Sequence, residues 1–155
     1  MDYDLFEYEK MPYEKYMQMY MSIGAAMEVY NYLHRGLEEA LYQEALEIEL
    51  ASRNIPYEAQ RQLQTWYKDR PLKKKYFADI VTYSDIIMEL KSVSKIATEH
   101  RAQLFNYLRI AQSTCGVLIN FGDNSFYCER YWYVKKLDDF FIITKNNLTE
   151  IVREK

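Results

Sequence analysis

The chain has 155 residues, of which 49% are hydrophobic and 28% charged, with a formal net charge of −3. A chain this long can bury roughly 70% of the surface its unfolded form exposes, and the composition excludes a disordered or a membrane-embedded polypeptide. The weak acidity excludes a protein that coats nucleic acid over its whole surface, but it leaves room for a local basic patch.

Residues 1 to 12 carry no period and end at the breaker Met11-Pro12, so they are expected to form an arm. The acidic start lacks the pattern of a signal peptide, and no stretch approaches the ~20 apolar residues that span a bilayer, so the expected location is cytoplasmic with no membrane partner. From Tyr13 to His34 the residues Tyr16, Tyr20, Ile23, Met27 and Tyr30 recur at steps of three and four and predict one helical stripe. Within it Gly24-Ala25-Ala26 would let another backbone come close. Gly36 interrupts the pattern, and a second helix is predicted over about Leu37 to Arg53. Leu41, Ala45 and Ile48 mark one of its faces, and Glu39, Tyr42 and Leu46 align on the other.

Asn54-Ile55-Pro56 ends that helix, and Tyr57 to Tyr67 alternates loosely, as a strand with one wet face does. Asp69-Arg70-Pro71 is turn chemistry. Lys75 to Tyr83 and Ile86 to Val93 then read as a hairpin around Ser84-Asp85. In its second strand Glu89 and Lys91 share a face because side chains alternate with period two. A two-residue loop would put Asp79 on the face away from Glu89. A three-residue loop, with Thr82 opposite Ile86, puts the two carboxylates together, so an odd-length connection or a bulge is predicted. Two carboxylates in an apolar setting are costly without compensation, and a divalent cation would supply it.

The helical period returns from Thr98 to Gln112, with His100, Gln103, Leu104, Tyr107, Leu108 and Ala111 on one stripe. Cys115 to Phe121 reads as a buried strand, followed by a turn at Asn120 to Asp123. Phe126 to Ile143, rich in aromatic and β-branched residues, predicts further strands, and the polar residues from Thr144 predict a short helix or a frayed end. Cys115 and Cys128 lie in apolar or aromatic surroundings without CxxC spacing and are expected to be free thiols. The whole chain, 1–155, is expected to be a single domain, with residues 123–155 as an aromatic extension.

Helices, three strands, a helix and a strand follow one another, with acids on one hairpin and Gln-x-x-x-Tyr on the next helix. This order resembles the PD-(D/E)XK nuclease superfamily and, within it, the small GxxExxY proteins. The residues that carry the resemblance are Gly36-Leu37-Glu38-Glu39-Ala40-Leu41-Tyr42, Tyr76-Phe77-Ala78-Asp79, Glu89-Leu90-Lys91, Gln103 to Arg109 and Leu118 to Gly122. The resemblance implies an α/β (α+β) restriction-endonuclease-like fold, with a mixed central sheet flanked by helices in the order ααβββαβ and extra C-terminal strands. It also implies a metal-dependent nuclease acting on nucleic acid, DNA first. Asp79, Glu89 and the Leu90 backbone carbonyl would hold Mg²⁺, or Mn²⁺ in its place, and Glu39 would join directly or through water. Lys91 would stand beside the attacking water, and Gln103 and Tyr107 would support the site, as in the RecB-like branch.

Several bland readings compete with these. Glu38 and Glu44 rival Glu39, and Tyr107 and Gln103 also suit a core. The basic run Arg70 to Lys75 fits either a solvated strand end or a phosphate-steering patch. Tyr127, Tyr131, Trp132 and Tyr133 suit sheet packing, base stacking, or contact with a second subunit or another protein. The alternative function is a non-catalytic module that keeps the fold and binds a partner.

Overall fold

The computed structural model describes residues 12–144 and 148–150. The expected N-terminal arm therefore lies almost entirely outside the described residues. Two helices come first, α1 (Tyr13–Leu33) and α2 (Glu39–Ser52), then strands β1 (Tyr57–Tyr67), β2 (Arg70–Thr82) and β3 (Ile86–Lys91). Helix α3 (Thr98–Ala111) leads into β4 (Cys115–Asn120), β5 (Tyr127–Val134), β6 (Asp139–Ile143) and β7 (Leu148–Glu150). The strands form one seven-stranded sheet in sequence order, parallel between β3 and β4 and antiparallel elsewhere. A parallel pair needs a crossover, and α3 provides it. The expected ααβββαβ order with additional C-terminal strands is present.

Two apolar clusters cover the two faces of the sheet. On one, α1 and α2 lay Met19, Ile23, Tyr42, Leu46 and Leu50 over Ile80, Ile86, Met88, Leu90 and Ile119. On the other, Leu104 and Leu108 of α3 pack on Val81, Ile87, Leu118 and Phe140. β3 and β4 are buried on both sides, which explains why they read as nearly unbroken apolar runs. Glu89 and Lys91 follow the alternation set by Ile87 onto the α3 side.

Both N-terminal helices turn a different face inward from the one their apolar stripes suggested. In α1 the buried residues are Met19, Ser22, Ile23, Ala25, Ala26 and Val29, whereas Tyr20 is 61% and Met27 44% exposed. Small side chains let the helix settle close to the sheet, and the bulky tyrosines are left at its rim. The hydroxyls of Ser22 and Thr82 share a buried hydrogen bond of 2.7 Å across this contact. In α2 the buried row is Tyr42, Leu46 and Leu50, and Leu41 and Ile48 are exposed. The helix spans 39–52 rather than 37–53, a difference of the size expected where helix ends fray.

Tyr42 fixes that choice of face. Its ring stacks on Phe121, with centroids 4.3 Å apart and planes within 4°. Its hydroxyl accepts the Leu37 N–H at 3.1 Å and donates to the His34 carbonyl, closing the bend between α1 and α2. Gly36 makes the bend with φ +96, a conformation that glycine adopts without strain. Replacing Tyr42 with Phe keeps the stack and removes both hydrogen bonds. Urea titration is expected to show a loss of about 1–2 kcal/mol.

Three strand boundaries also differ. β2 starts at Arg70, not Lys75, with the turn at Lys68-Asp69, and Pro71 pairs with Trp66 inside the strand. Proline is tolerated there because this end of β2 is hydrogen-bonded only to β1. β3 ends at Lys91, before Val93. Beyond Thr144, where a short helix or frayed end was expected, Leu148–Glu150 instead adds to the open edge of β6. The aromatic tail is largely sheet packing: Tyr131 and Tyr133 are buried beside Phe105 and Phe140. Both cysteines are free, and burial pushes the Cys115 thiol up to about 12.

Candidate active site

The register of the β2–β3 hairpin decides whether the two acids meet. It pairs Thr82 with Ile86, Val81 with Ile87 and Ile80 with Met88, around a three-residue loop at 83–85. Tyr83 and Ser84 take positive φ there, 51° and 70°, which lets the loop close. Asp85 of this loop is tied to Lys15 of α1 at 2.6 Å. The odd-length connection expected from the sequence is therefore present, and Asp79 lies across from Glu89.

Beyond Ile80 and Met88 the β2–β3 ladder gives way to side chains. The Asp79 N–H donates to Glu89 Oε1 at 3.1 Å, and the Leu90 N–H donates to Asp79 Oδ2 at 2.8 Å. Each carboxylate thus occupies a hydrogen-bonding place that the other strand's backbone would fill in a regular sheet. β1 accommodates the departure. Its register with β2 runs from Ala59↔Ile80 to Arg61↔Ala78, and Gln60, opposite Asp79, has φ +49. The Leu90 N–H faces the gap between β2 and β3, and the N–H and C=O of one strand residue leave on the same edge. The Leu90 carbonyl therefore faces the gap too, while the Lys91 carbonyl turns to β4 and accepts the Phe121 N–H at 2.8 Å.

Glu89 is 2% exposed. Burial raises its carboxyl well above the ordinary range, and the adjacent Asp79 carboxylate adds to that; the Asp79 N–H and the Lys91 charge oppose it only in part. Glu39, the first residue of α2, reaches the same field from the exposed side. Its carboxyl is raised by partial desolvation and by Asp79, with Lys91 opposing. Of the three candidate acids near the start of α2, Glu39 is the one tied electrostatically to Asp79 and Lys91.

From α3, Gln103 and Tyr107 complete a chain of hydrogen bonds. Lys91 Nζ donates to Gln103 Oε1 at 3.0 Å, and Gln103 Nε2 donates to the Tyr107 hydroxyl at 3.0 Å. A turn of helix separates Gln103 from Tyr107, so one face of α3 presents both to β3. Tyr107 is 7% exposed and its phenol is raised, by burial first. It serves the core and the polar chain together. His100 plays a local part: the Ala97 N–H donates to its Nδ1 at the start of α3.

Sequence reasoning missed two features. Gln43 lies one turn after Glu39 on α2 and donates from Nε2 to the Asp79 carbonyl at 3.0 Å, so α2 grips the backbone of the first acid. The i, i+4 spacing from Glu39 was the available signal. The second is Glu129 on β5, buried, with Arg101 of α3 bridging both carboxylate oxygens at 2.7 Å and the hydroxyls of Tyr127 and Tyr131 donating to them. Burial would raise this carboxyl, but those donors hold it below its ordinary value. Glu129 pairs with Leu118, and Leu118 with Glu89, so this anchor ties α3 to the same row of the sheet that carries the acids.

Among the described residues no three His, Cys, Asp or Glu side chains group around a single point. The oxygen donors at the gap are the Asp79 and Glu89 carboxylates and the Leu90 carbonyl. This set fits Mg²⁺, which keeps several waters and takes one or two carboxylates plus substrate phosphate oxygens. A buried carboxyl facing a half-buried carboxylate, with the nearby cation Lys91 already hydrogen-bonded to Gln103, also fits a second cation between the acids. No described helix is long and apolar enough to cross a membrane.

No curated protein and no solved structure matches the chain. A family model described as the PD-(D/E)XK nuclease superfamily matches residues 16–131, a span that holds both acids, Lys91 and the Gln103–Tyr107 pair, and the chain belongs to that superfamily.

Proposed function

We propose that this protein is a Mg²⁺-dependent phosphodiesterase that cleaves nucleic acid, with DNA as the first substrate to test and Mn²⁺ as an alternative cation. The observation that carries the reading is the convergence of Asp79 and Glu89 where β2 and β3 part, next to a lysine held by Gln103 and Tyr107. The superfamily's members are generally nucleases that use divalent metals, which supports the same reading.

Asp79, Glu89 and the Leu90 carbonyl would hold the cation, and Glu39, on the exposed side, would order its water shell. Bound there, a divalent cation supplies Lewis-acid polarisation of the phosphate and lowers the pKa of water. Lys91, whose charge acts on both Glu39 and Glu89, would orient the incoming water and stabilise charge developing on the phosphate oxygens. Gln103 fixes the Lys91 rotamer, and Tyr107 fixes the Gln103 amide in turn. Gln43 keeps the Asp79 backbone from moving as the charges rearrange.

Purified protein incubated with single- and double-stranded DNA is expected to cleave with Mg²⁺ or Mn²⁺ and to stop with EDTA. No cleavage of either DNA or of RNA with either cation would overturn the proposal in favour of a non-catalytic module. Lys91→Ala is expected to lower kcat by roughly 100-fold. Gln103→Ala should lower it about 10-fold, the effect of loosening a supporting hydrogen bond. Steady-state kinetics check both, and a double variant whose loss is the product of the two single losses would show that Gln103 acts on its own account rather than through Lys91.

A further inference from the structure

β1 and β2 run on well past their pairing with β3, and this two-stranded arm borders α3. Between them lies a groove of about 540 Å³, bordered by Lys74 and Tyr76 of β2 and by Glu99, Gln103, Asn106 and Tyr107 of α3. Gln103, which accepts the Lys91 hydrogen bond, and Tyr107, which accepts from Gln103, both border the groove, so it lies one side chain away from the proposed reaction centre. We infer that this groove is the path of an unpaired nucleic-acid strand leading to the carboxylates, and that the enzyme therefore prefers single strands to duplexes. The inference rests on the nuclease reading and extends it to the form of the substrate.

Size argues first for a single strand. A groove of this volume lies within the small-molecule range of about 300–1,000 Å³ and accepts a nucleotide or two, not a duplex. Its chemistry points the same way. The Tyr76 and Tyr107 rings lie 6.0 Å apart at 58°, and the Lys74 ammonium sits 5.7 Å from the centre of the Tyr76 ring. An accessible aromatic face beside a cation, here Tyr76 backed by the buried Tyr107, forms the usual platform for an unstacked base and its phosphate, and Gln103 and Asn106 add amide donors and acceptors. Charge supplies the approach. Lys68, Arg70, Lys73, Lys74 and Lys75 are all exposed on the arm, so a molecule of net charge −3 gathers cations beside the groove. Glu99 also borders the groove, but the lining holds two cations, Lys74 and Arg109, against this one carboxylate.

Alternation along β2 provides an internal control. Lys74 and Tyr76 face α3, so Lys73 between Leu72 and Lys74 points to the opposite face. Fluorescence anisotropy with a labelled single-stranded DNA oligonucleotide and with the same sequence as a blunt duplex, in EDTA, tests the inference without relying on turnover. Wild type is expected to bind the single strand at least about tenfold more tightly than the duplex. Lys74→Glu and Tyr76→Ala should each weaken single-strand binding about tenfold, while Lys73→Glu, with the same change of charge, should weaken it much less. Circular dichroism melts confirm that each variant folds, and Lys74, an exposed residue, can be changed without disturbing the core. Equal affinity for both DNAs, or equal losses from Lys73→Glu and Lys74→Glu, would overturn the inference. Duplex-preferring binding with cleavage intact would sink the groove and spare the nuclease reading. Groove-dependent binding of single strands without cleavage would do the reverse.

Discussion

Asp79→Asn and Glu89→Gln are each expected to lower metal-dependent cleavage by at least about a thousandfold, and Glu89→Gln is expected at the same time to stabilise the metal-free protein. Both effects have the same cause. Glu89 is 2% exposed and faces a second carboxylate, so its charge is costly in the fold and useful only when a cation shares it. Glutamine keeps the shape, and its oxygen can still accept the Asp79 N–H. The gain should be about 1 kcal/mol at neutral pH, the usual size for relief of strain at a site. The sign of its pH dependence follows from the raised carboxyl. Folded Glu89 keeps its proton above the ordinary value of 4.5, whereas the unfolded chain does not. Its contribution to stability is therefore complete below that value and is lost as the pH rises through the raised one. Melting temperatures in EDTA should show the advantage of Glu89→Gln growing with pH across that window. A variant as labile as wild type at every pH would mean that burial and Asp79 do not raise the Glu89 carboxyl in the free protein.

Gly122→Ala carries the second large expected effect, a loss of about 3 kcal/mol with a fall in melting temperature on the order of 10 °C. A Cβ at this position would stand 2.3 Å from the Val93 carbonyl oxygen and 2.5 Å from its nitrogen. Backbone atoms cannot step aside here because Asn120 clamps them. Its amide accepts the Val93 N–H at 3.0 Å and donates to the Val93 carbonyl at 2.8 Å, and it also accepts the Gly122 N–H. Moving this loop would drag on Phe121, which holds the Lys91 carbonyl and stacks on Tyr42. Reduced cleavage should therefore accompany the lost stability. Denaturant unfolding checks the first and kinetics on the residual folded protein the second. A neutral Gly122→Ala would show that the crossing of these two loops is looser than it stands.

The hairpin register could be expected from the sequence once Asp79 and Glu89 were taken to meet, because one residue of slip reverses every side chain and only an odd-length connection or a bulge brings the two together. The shared faces of Glu89 with Lys91 and of Gln103 with Tyr107 could be read from a period of two on a strand and of four on a helix, whereas their meeting at one site was implied only by the family resemblance. The inward faces of α1 and α2 could not be read. Both helices carry two apolar rows at helical spacing, and the choice between them depends on distance to the sheet and on the hydrogen bonds of Tyr42, which are tertiary facts. Glu129 and Arg101 stand 28 residues apart, so their pairing left no local trace. β7 was missed for a similar reason: three polar-flanked residues become a strand only because β6 offers an edge. What remained readable was whatever a short stretch of chain decides by itself.

Calorimetric titration of Mn²⁺ into the purified protein tests the central claim most directly, because it needs neither substrate nor turnover. Wild type is expected to bind the ion at a site that Asp79→Asn and Glu89→Gln each abolish and that Lys91→Ala leaves in place. Binding that persists unchanged in both carboxylate variants, or its absence in wild type even with a non-cleavable oligonucleotide present, would contradict the assignment of this gap in the sheet as the metal centre.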